Sequence, residues 1–282
     1  MNSFRLCYER FCLLLTGFIL LAISPVLAAE APRYTIAVIP LVPPVTTHAK
    51  WAPFVERVGR ETGLELELKL YETMDKFEND IYHGIPDFVF LHSVQAVAAK
   101  RAQNYIPLVR NSKLVSGAFV VRKDSPIKTV QDLEGKTVAL VGEKNLCRTL
   151  LDHELREELH VSTEVVYSGT AANMLKYVIL SKADAGGALD ASIDRLPQDL
   201  LDQVRVIYNT KKIAPPALVA HPRVPEKVRD SVADAVVRMV SDSEALLIMR
   251  EILLDSPVRA DYERDYGALE KMNIERYFGP VN

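Results

Sequence analysis

At 282 residues, 49% of them apolar and 25% charged, the chain has an ordinary globular balance and enough length for one large domain or two of usual size. A formal net charge of −3 supplies no basic surface, so the expectation is no nucleic-acid partner.

The first segment reads apart from the fold. Arg5 and Arg10 precede "FCLLLTGFILLAISPVLA", which leaves through the small-residue exit Val26-Leu27-Ala28-Ala29. A positive start, an apolar middle and a small exit describe a secretory signal peptide over residues 1–29, cleaved on export. The rival reading is a retained anchor, since Phe11 to Ala29 is just long enough to span a bilayer; Pro25 and the small exit favour cleavage. Neither Cys7 nor Cys12 follows a small-residue exit, which argues against lipoprotein attachment. The mature chain then keeps Cys147 as its one cysteine and forms no intramolecular disulfide.

From residue 33 the pattern alternates. "YTIAVIP" (34–40) reads as a strand and "KWAPFVERV" (50–58) as a helix with Trp51, Phe54, Val55 and Val58 on one face. The Pro43-Pro44 pair reads as a stiff loop between them. "LELELKLY" (64–71) alternates strictly, Leu64, Leu66, Leu68 and Leu70 against Glu65, Glu67 and Lys69. A strand covered by helices on both faces should be apolar throughout, so this one is expected at an edge or with one open face. A short helix around Phe77 and Ile81, the buried strand "DFVFL" (87–91), the helix "SVQAVAAKRA" and the strand "YIPLV" (105–109) complete a first βαβ unit. The pattern restarts after "SGAFVVRKDSPIKTVQDLEGK". Strands at 137–141, 163–167, 183–187 and 203–208 interleave with helices at about 145–159, 171–181 and 190–196. From Pro225 onward the chain reads as all-helical. The expectation is α/β: two lobes, two mainly parallel sheets, a helical C-terminal tail, and a cleft that collects the strand C-terminal ends.

Candidate contacts follow from that cleft. Thr46, Thr47 and Lys50 stand after the first strand, and His92 and Ser93 just past the third. Glu143, Lys144 and Asn145 fill the turn in "TVALVGEKNLCRTLLDHEL", where a strand passes through Gly142 into a helix bearing Leu146, Leu150, Leu151, Leu155 and Leu159 on one face. Ser168, Gly169 and Thr170 form another strand-to-helix turn. Helix N-termini at such turns attract anions. Asp184 in "KADAGG" reads as a helix-to-strand junction. Cys147 as a nucleophile needs a base that no motif supplies. His153, Glu157 and His160 share a helix but have no HExxH pattern or second ligand cluster, so they read as a solvated face. No metal or cofactor is expected.

The phrases "KWAPFVERVGRETGLELEL", "IPDFVFLHS", "VVRKDSPIKTVQDLEGKTVALVG" and "SKADAGGALDASIDRL" together resemble type II periplasmic solute-binding proteins, in the phosphate/phosphite/phosphonate branch of ABC importers. The resemblance covers roughly residues 33 to 278. It implies a periplasmic, non-enzymatic protein, expected as a monomer, that closes over a small-molecule ligand and passes it to an ABC permease. A ligand sensor for a membrane kinase or receptor is the alternative. It also implies a hinge of two crossovers, about 115–122 and 214–221, with one lobe of 33–115 plus 221–282 and the other of 116–220. The pocket departs from the branch. Its Ser/Thr-rich turn corresponds to Glu143-Lys144-Asn145, its histidine loop offers Thr170 and Ala171, its acidic position falls at Pro216, and its aromatic positions at Met74 and Leu91. A carboxylate at position 143 would repel a phosphonate by roughly 4 kcal/mol at about 4 Å and an effective dielectric near 20.

Overall fold

A computed structural model describes residues 33–143, 146–272 and 276. Residues 1–32, with the expected signal peptide, Lys144, Asn145 and most of the stretch beyond Met272 lie outside the described residues. Among the described residues no helix is long and apolar enough to cross a membrane.

The first unit runs β1 (Arg33–Val38), α1 (Pro44–Thr62), β2 (Glu65–Lys69), α2 (Met74–Tyr82), β3 (Phe88–Leu91), α3 (Ser93–Gln103) and β4 (Ile106–Asn111). The second runs β5 (Gly117–Arg122), β6 (Thr137–Leu140), α4 (Leu146–His153), β7 (Glu164–Tyr167), α5 (Ala171–Ile179), β8 (Ala185–Leu189), α6 (Asp190–Ile193), α7 (Gln198–Leu201) and β9 (Val204–Asn209). The chain returns through β10 (Ala217–Ala220), α8 (Glu226–Arg238), α9 (Ser243–Glu251), β11 (Pro257–Arg259) and α10 (Tyr262–Asp265).

These strands form a six-stranded sheet of order β11-β4-β10-β3-β1-β2 and a five-stranded sheet of order β7-β6-β8-β5-β9. The alternating segment is an edge strand, as its pattern predicts. Leu66 and Leu68 of β2 are half-buried on the first core, and Glu65 and Glu67 face solvent. Both sheets are mixed rather than mainly parallel. β1 pairs in parallel with β2 and β3, and β6 with β7 and β8. β10 and β5, each entering from the opposite lobe, run antiparallel to their neighbours. A strand fed by a crossover has no helix on the same sheet to reverse it, so βαβ logic does not set its direction. The tail is not wholly helical either: β11 adds to the sheet edge beside β4. At three residues it is too short to show a period.

Helix α1 starts earlier than its apolar spacing suggests. Pro43 is its N-cap and Pro44 its first residue. Proline suits that position because its missing N–H would have no partner in the first turn and its φ is already helical. The prolines therefore open a helix instead of stiffening a loop, and Thr46 and Thr47 sit on its first turn. Gly63, at φ 69°, closes the helix, its N–H donating to the carbonyl of Gly59.

Two cores result. The first is rich in rings, among them Phe54, Phe77, Phe88, Tyr105 and Tyr266; the second is mostly aliphatic around Phe119, Leu133, Leu151 and Met174. Gly187 lets the second sheet approach its helices. A Cβ there would stand 2.4 Å from Leu151 Cδ1 and 2.6 Å from Leu140 Cδ2. Helix α4 belongs to both cores. Leu146 and Leu150 pack into the first, and Cys147, Leu151 and Leu155 into the second. Past His153 the helix continues as a π-turn through Glu154–Glu158.

Candidate functional site

Two connections join the sheets, 112–116 between β4 and β5 and 210–216 between β9 and β10. They pair with each other: Val115 N–H donates to Ile213 O at 2.9 Å, and Ile213 N–H returns to Val115 O at 2.8 Å. Ser93 Oγ donates to Ala214 O, and Tyr266 OH to Pro215 O at 3.1 Å, which anchors the second connection to the first lobe.

Beside these connections the C-terminal ends of β1, β3, β6 and β8 converge on a cavity of about 690 Å³, within the usual range for small-molecule sites. Its walls are mostly apolar: Val38, Ile39, Trp51 and Phe90 from the first lobe, Val141, Cys147 and Leu189 from the second, Val115, Pro215 and Pro216 from the connections. The Trp51 and Phe90 rings lie 4.7 Å apart, tilted by 51°. Lys50, Lys113, Arg195, Asp194, Glu251 and Asp255 also line it, and all are exposed.

His92, only 6% exposed, and Thr47, 4% exposed, are buried polar side chains of this wall. His92 precedes α3, and its backbone N–H donates to Gln95 Oε1 at 3.2 Å. Both ring nitrogens are sealed from solvent and make no hydrogen bond of ordinary geometry; the side chain and Gln95 form a capping box at the start of α3. Burial pushes the His92 pKa down to about 4, so the ring is neutral at neutral pH. Each unpaired buried polar atom costs about 1–3 kcal/mol.

The cavity gathers three of the sequence-derived candidates, Thr47, Lys50 and His92. The hydroxyl hydrogen of Thr47 is directed at the backbone carbonyls of Val42 and Pro43. The others lie elsewhere. Thr46 is exposed on α1, Ser93 holds the second connection, and Glu143 is exposed. Lys144 and Asn145 are outside the described residues. Ser168 Oγ donates to Leu140 O at 3.0 Å and also meets Thr170 O, Gly169 takes φ 82°, and Thr170 caps α5 by accepting from Asn173 N–H at 3.1 Å. None of these three lines the cavity; the next residue, Ala171, does. Cys147 is buried, and desolvation raises its pKa, so the thiol stays protonated. Among the described residues no three His, Cys, Asp or Glu side chains are grouped to hold a metal ion.

Sequence reasoning missed the aromatic wall, the connection residue Lys113, and the turn of Leu253, Asp255 and Ser256. Trp51 and Phe90 carry the same apolar spacing as any core residue. The turn is separated from Asn111 by more than half the chain, yet Asn111 holds it, donating to Leu253 O and Asp255 Oδ1 and accepting from Ser256 N–H.

Two α/β lobes, paired crossover connections and a ligand-sized cavity at the strand ends define a type II periplasmic binding protein. The chain belongs to the ABC-transporter family of phosphonate periplasmic substrate-binding proteins, which it matches over residues 36–266. It is thus the solute-binding component of an ABC importer. No curated protein matches it in sequence. Among solved structures it is similar to XAC2383 from Xanthomonas citri, seen bound to chloride ion and also to ATP, at 17% identity and a TM-score of 0.72 over 87% of this chain and 98% of that one. PhnD1 from Prochlorococcus marinus, in complex with methylphosphonate, superposes at 13% identity and a TM-score of 0.71 over the same shares. A binding-protein component of a phosphonate ABC transporter from Pseudomonas aeruginosa gives 12% and 0.66, over 87% of this chain and 86% of that one. At these identities the likeness is one of fold.

Proposed function

We propose that this chain is exported with residues 1–29 removed, acts as a non-enzymatic monomer, and closes its lobes over a small ligand held in the 690 Å³ cavity. The observation that carries this reading is the cavity itself, placed where the strand ends of both lobes meet beside the paired connections. Those connections, 112–116 and 210–216, are the hinge, and the lobes are the parts of the chain around each sheet. Thr47, Lys50 and His92 are the candidate contacts that the cavity wall supports.

Tight binding of a small doubly charged phosphonate is not part of the proposal. The hydroxyl hydrogens of Thr47 and Ser168 already serve backbone carbonyls, and Thr170 serves a helix cap. Phosphate and methylphosphonate are therefore expected to bind weakly. The test of the binding role is mass spectrometry of small molecules released from the purified protein, joined to small-angle scattering with and without what is released. A released compound that lowers the radius of gyration supports the role. A protein that releases nothing and never contracts counts against it.

A further inference from the structure

We propose that the cavity selects its ligand by an extended apolar body that lies against Leu253, while the polar head stays in water among the exposed charges of the lining. The ligand class is then an amphiphile, a molecule with a hydrocarbon body of several carbons and a head of either charge or none. This rests on the solute-binding reading above and narrows it to a ligand class.

The backbone of Leu253 leads there. Helix α9 ends in a Schellman turn: Leu254 N–H donates to Met249 O at 2.9 Å, and Leu253 N–H to Arg250 O at 3.2 Å. Leu253 holds the left-handed position of that turn, at φ 60°. Glycine is the usual residue there, because a Cβ crowds the following carbonyl oxygen. The other described non-glycine residues at positive φ are Asn104, His160 and Ser181, all polar. Burial does not compensate, since the Leu253 side chain is 52% exposed and lines the cavity. Asn111 holds the turn in place by donating to Leu253 O at 3.1 Å. A leucine kept in a glycine conformation and left half in water gains nothing from the fold itself; an apolar ligand body in the cavity gives it a partner.

The rest of the lining agrees. Leu41 and Val42, also large apolar side chains that stay exposed, line the same cavity. Charge does not lead inward. Lys50, Lys113, Asp194, Arg195, Glu251 and Asp255 are all exposed, so among the described residues no buried charge of the lining neutralises an ionised head. Three charges of each sign favour neither an anion nor a cation.

Trp51, the single tryptophan of the chain, lines the cavity and reports binding by its emission. Titrating the ligand-stripped protein with methyl-, butyl-, hexyl- and octylphosphonate changes the body at constant head. Each added methylene should tighten binding about three- to fourfold, the value of one buried CH2, and methylphosphonate should give no saturable change. Nonanoate and octan-1-ol, which change the head on the same eight-carbon body, should bind within about tenfold of octylphosphonate. Leu253→Gly should weaken octylphosphonate by about fivefold or more and leave Tm within about 3 °C of the parent, since glycine suits the left-handed turn.

An affinity that does not rise from butyl- to octylphosphonate overturns the proposal. So does a saturable response to octylphosphonate with none to octan-1-ol, since the head would then be the part recognised. A Leu253→Gly protein that binds octylphosphonate like the parent, or that loses stability instead of affinity, overturns the role of Leu253. Contraction of the protein on a compound it releases, with a phosphonate series flat in chain length, would remove the amphiphile class while leaving the binding role intact.

Discussion

The two faces of the cleft are built from equivalent strand-to-helix turns but use them differently. On the first-lobe face, the turn after β3 buries the His92 ring, with no hydrogen-bond partner of ordinary geometry at either nitrogen. On the second-lobe face, the turn after β7 directs Ser168 at the carbonyl of Leu140 and uses Thr170 to cap α5. A polar residue at a strand end is a recognition group only when its hydrogen bonds are not already made inside the fold. Position supplies the opportunity; unfilled hydrogen-bonding capacity supplies the contact.

Helix α4 tests the independence of the two lobes and carries the largest expected effect. Leu151 is fully buried in the second core, whereas Leu146, from the same helix, is fully buried in the first. Leu151→Ala should destabilise the protein by about 2–5 kcal/mol in denaturant unfolding, the range for a leucine cavity in a close-packed core. Leu146→Ala removes a side chain that one lobe inserts into the other. It should raise the radius of gyration of the ligand-free protein, which Leu151→Ala should not. Equal scattering from the two variants would mean that α4 does not hold the lobes together.

The next effect belongs to His92 and follows pH. Its pKa is about 4 in the folded protein and about 6.5 in an unfolded chain. Between those values the unfolded chain takes up a proton that the folded one refuses, so stability falls as pH is lowered from about 6.5 towards 4. The full difference is about 3 kcal/mol at 1.36 kcal/mol per pH unit. Thermal melts of the parent and His92→Phe across this window should diverge by that amount. Parallel curves would mean that the ring is not buried neutral, and the contrast between the two faces would lose its main support.

Much of this architecture is legible in the sequence because it is local. The alternation of Leu64 to Leu70 marks an edge strand, and the restart of the βαβ pattern after residue 136 marks a second sheet. Strand direction in β5 and β10 is not local; it depends on which sheet the crossover enters. His92 could be found from its place after a buried strand. The burial of its ring could not, because it depends on how the rest of the fold closes over the start of α3. For Ser168 and Thr170 the residue types are those of an anion turn, and only the hydrogen-bond partners separate a cap from a contact.

The smallest expected effect sharpens that last distinction. Thr73 and Thr170 are matched N-caps, accepting from Lys76 N–H at 3.3 Å and Asn173 N–H at 3.1 Å, one in each lobe. Replacing an N-cap threonine by alanine costs about 1 kcal/mol, or about 3 °C in a domain of this size. Thr73→Ala and Thr170→Ala should therefore lower Tm by similar amounts. Serine at either position keeps the accepting oxygen and should restore most of the loss. Since Thr170 lies outside the cavity lining, neither alanine variant should alter binding of the compound released from the purified protein, monitored by the emission of Trp51, which lines the cavity. A loss of binding confined to Thr170→Ala would place this hydroxyl in contact with ligand and make the second face a recognition surface as well. Equal losses of stability with unchanged binding would instead leave recognition to the face that carries His92.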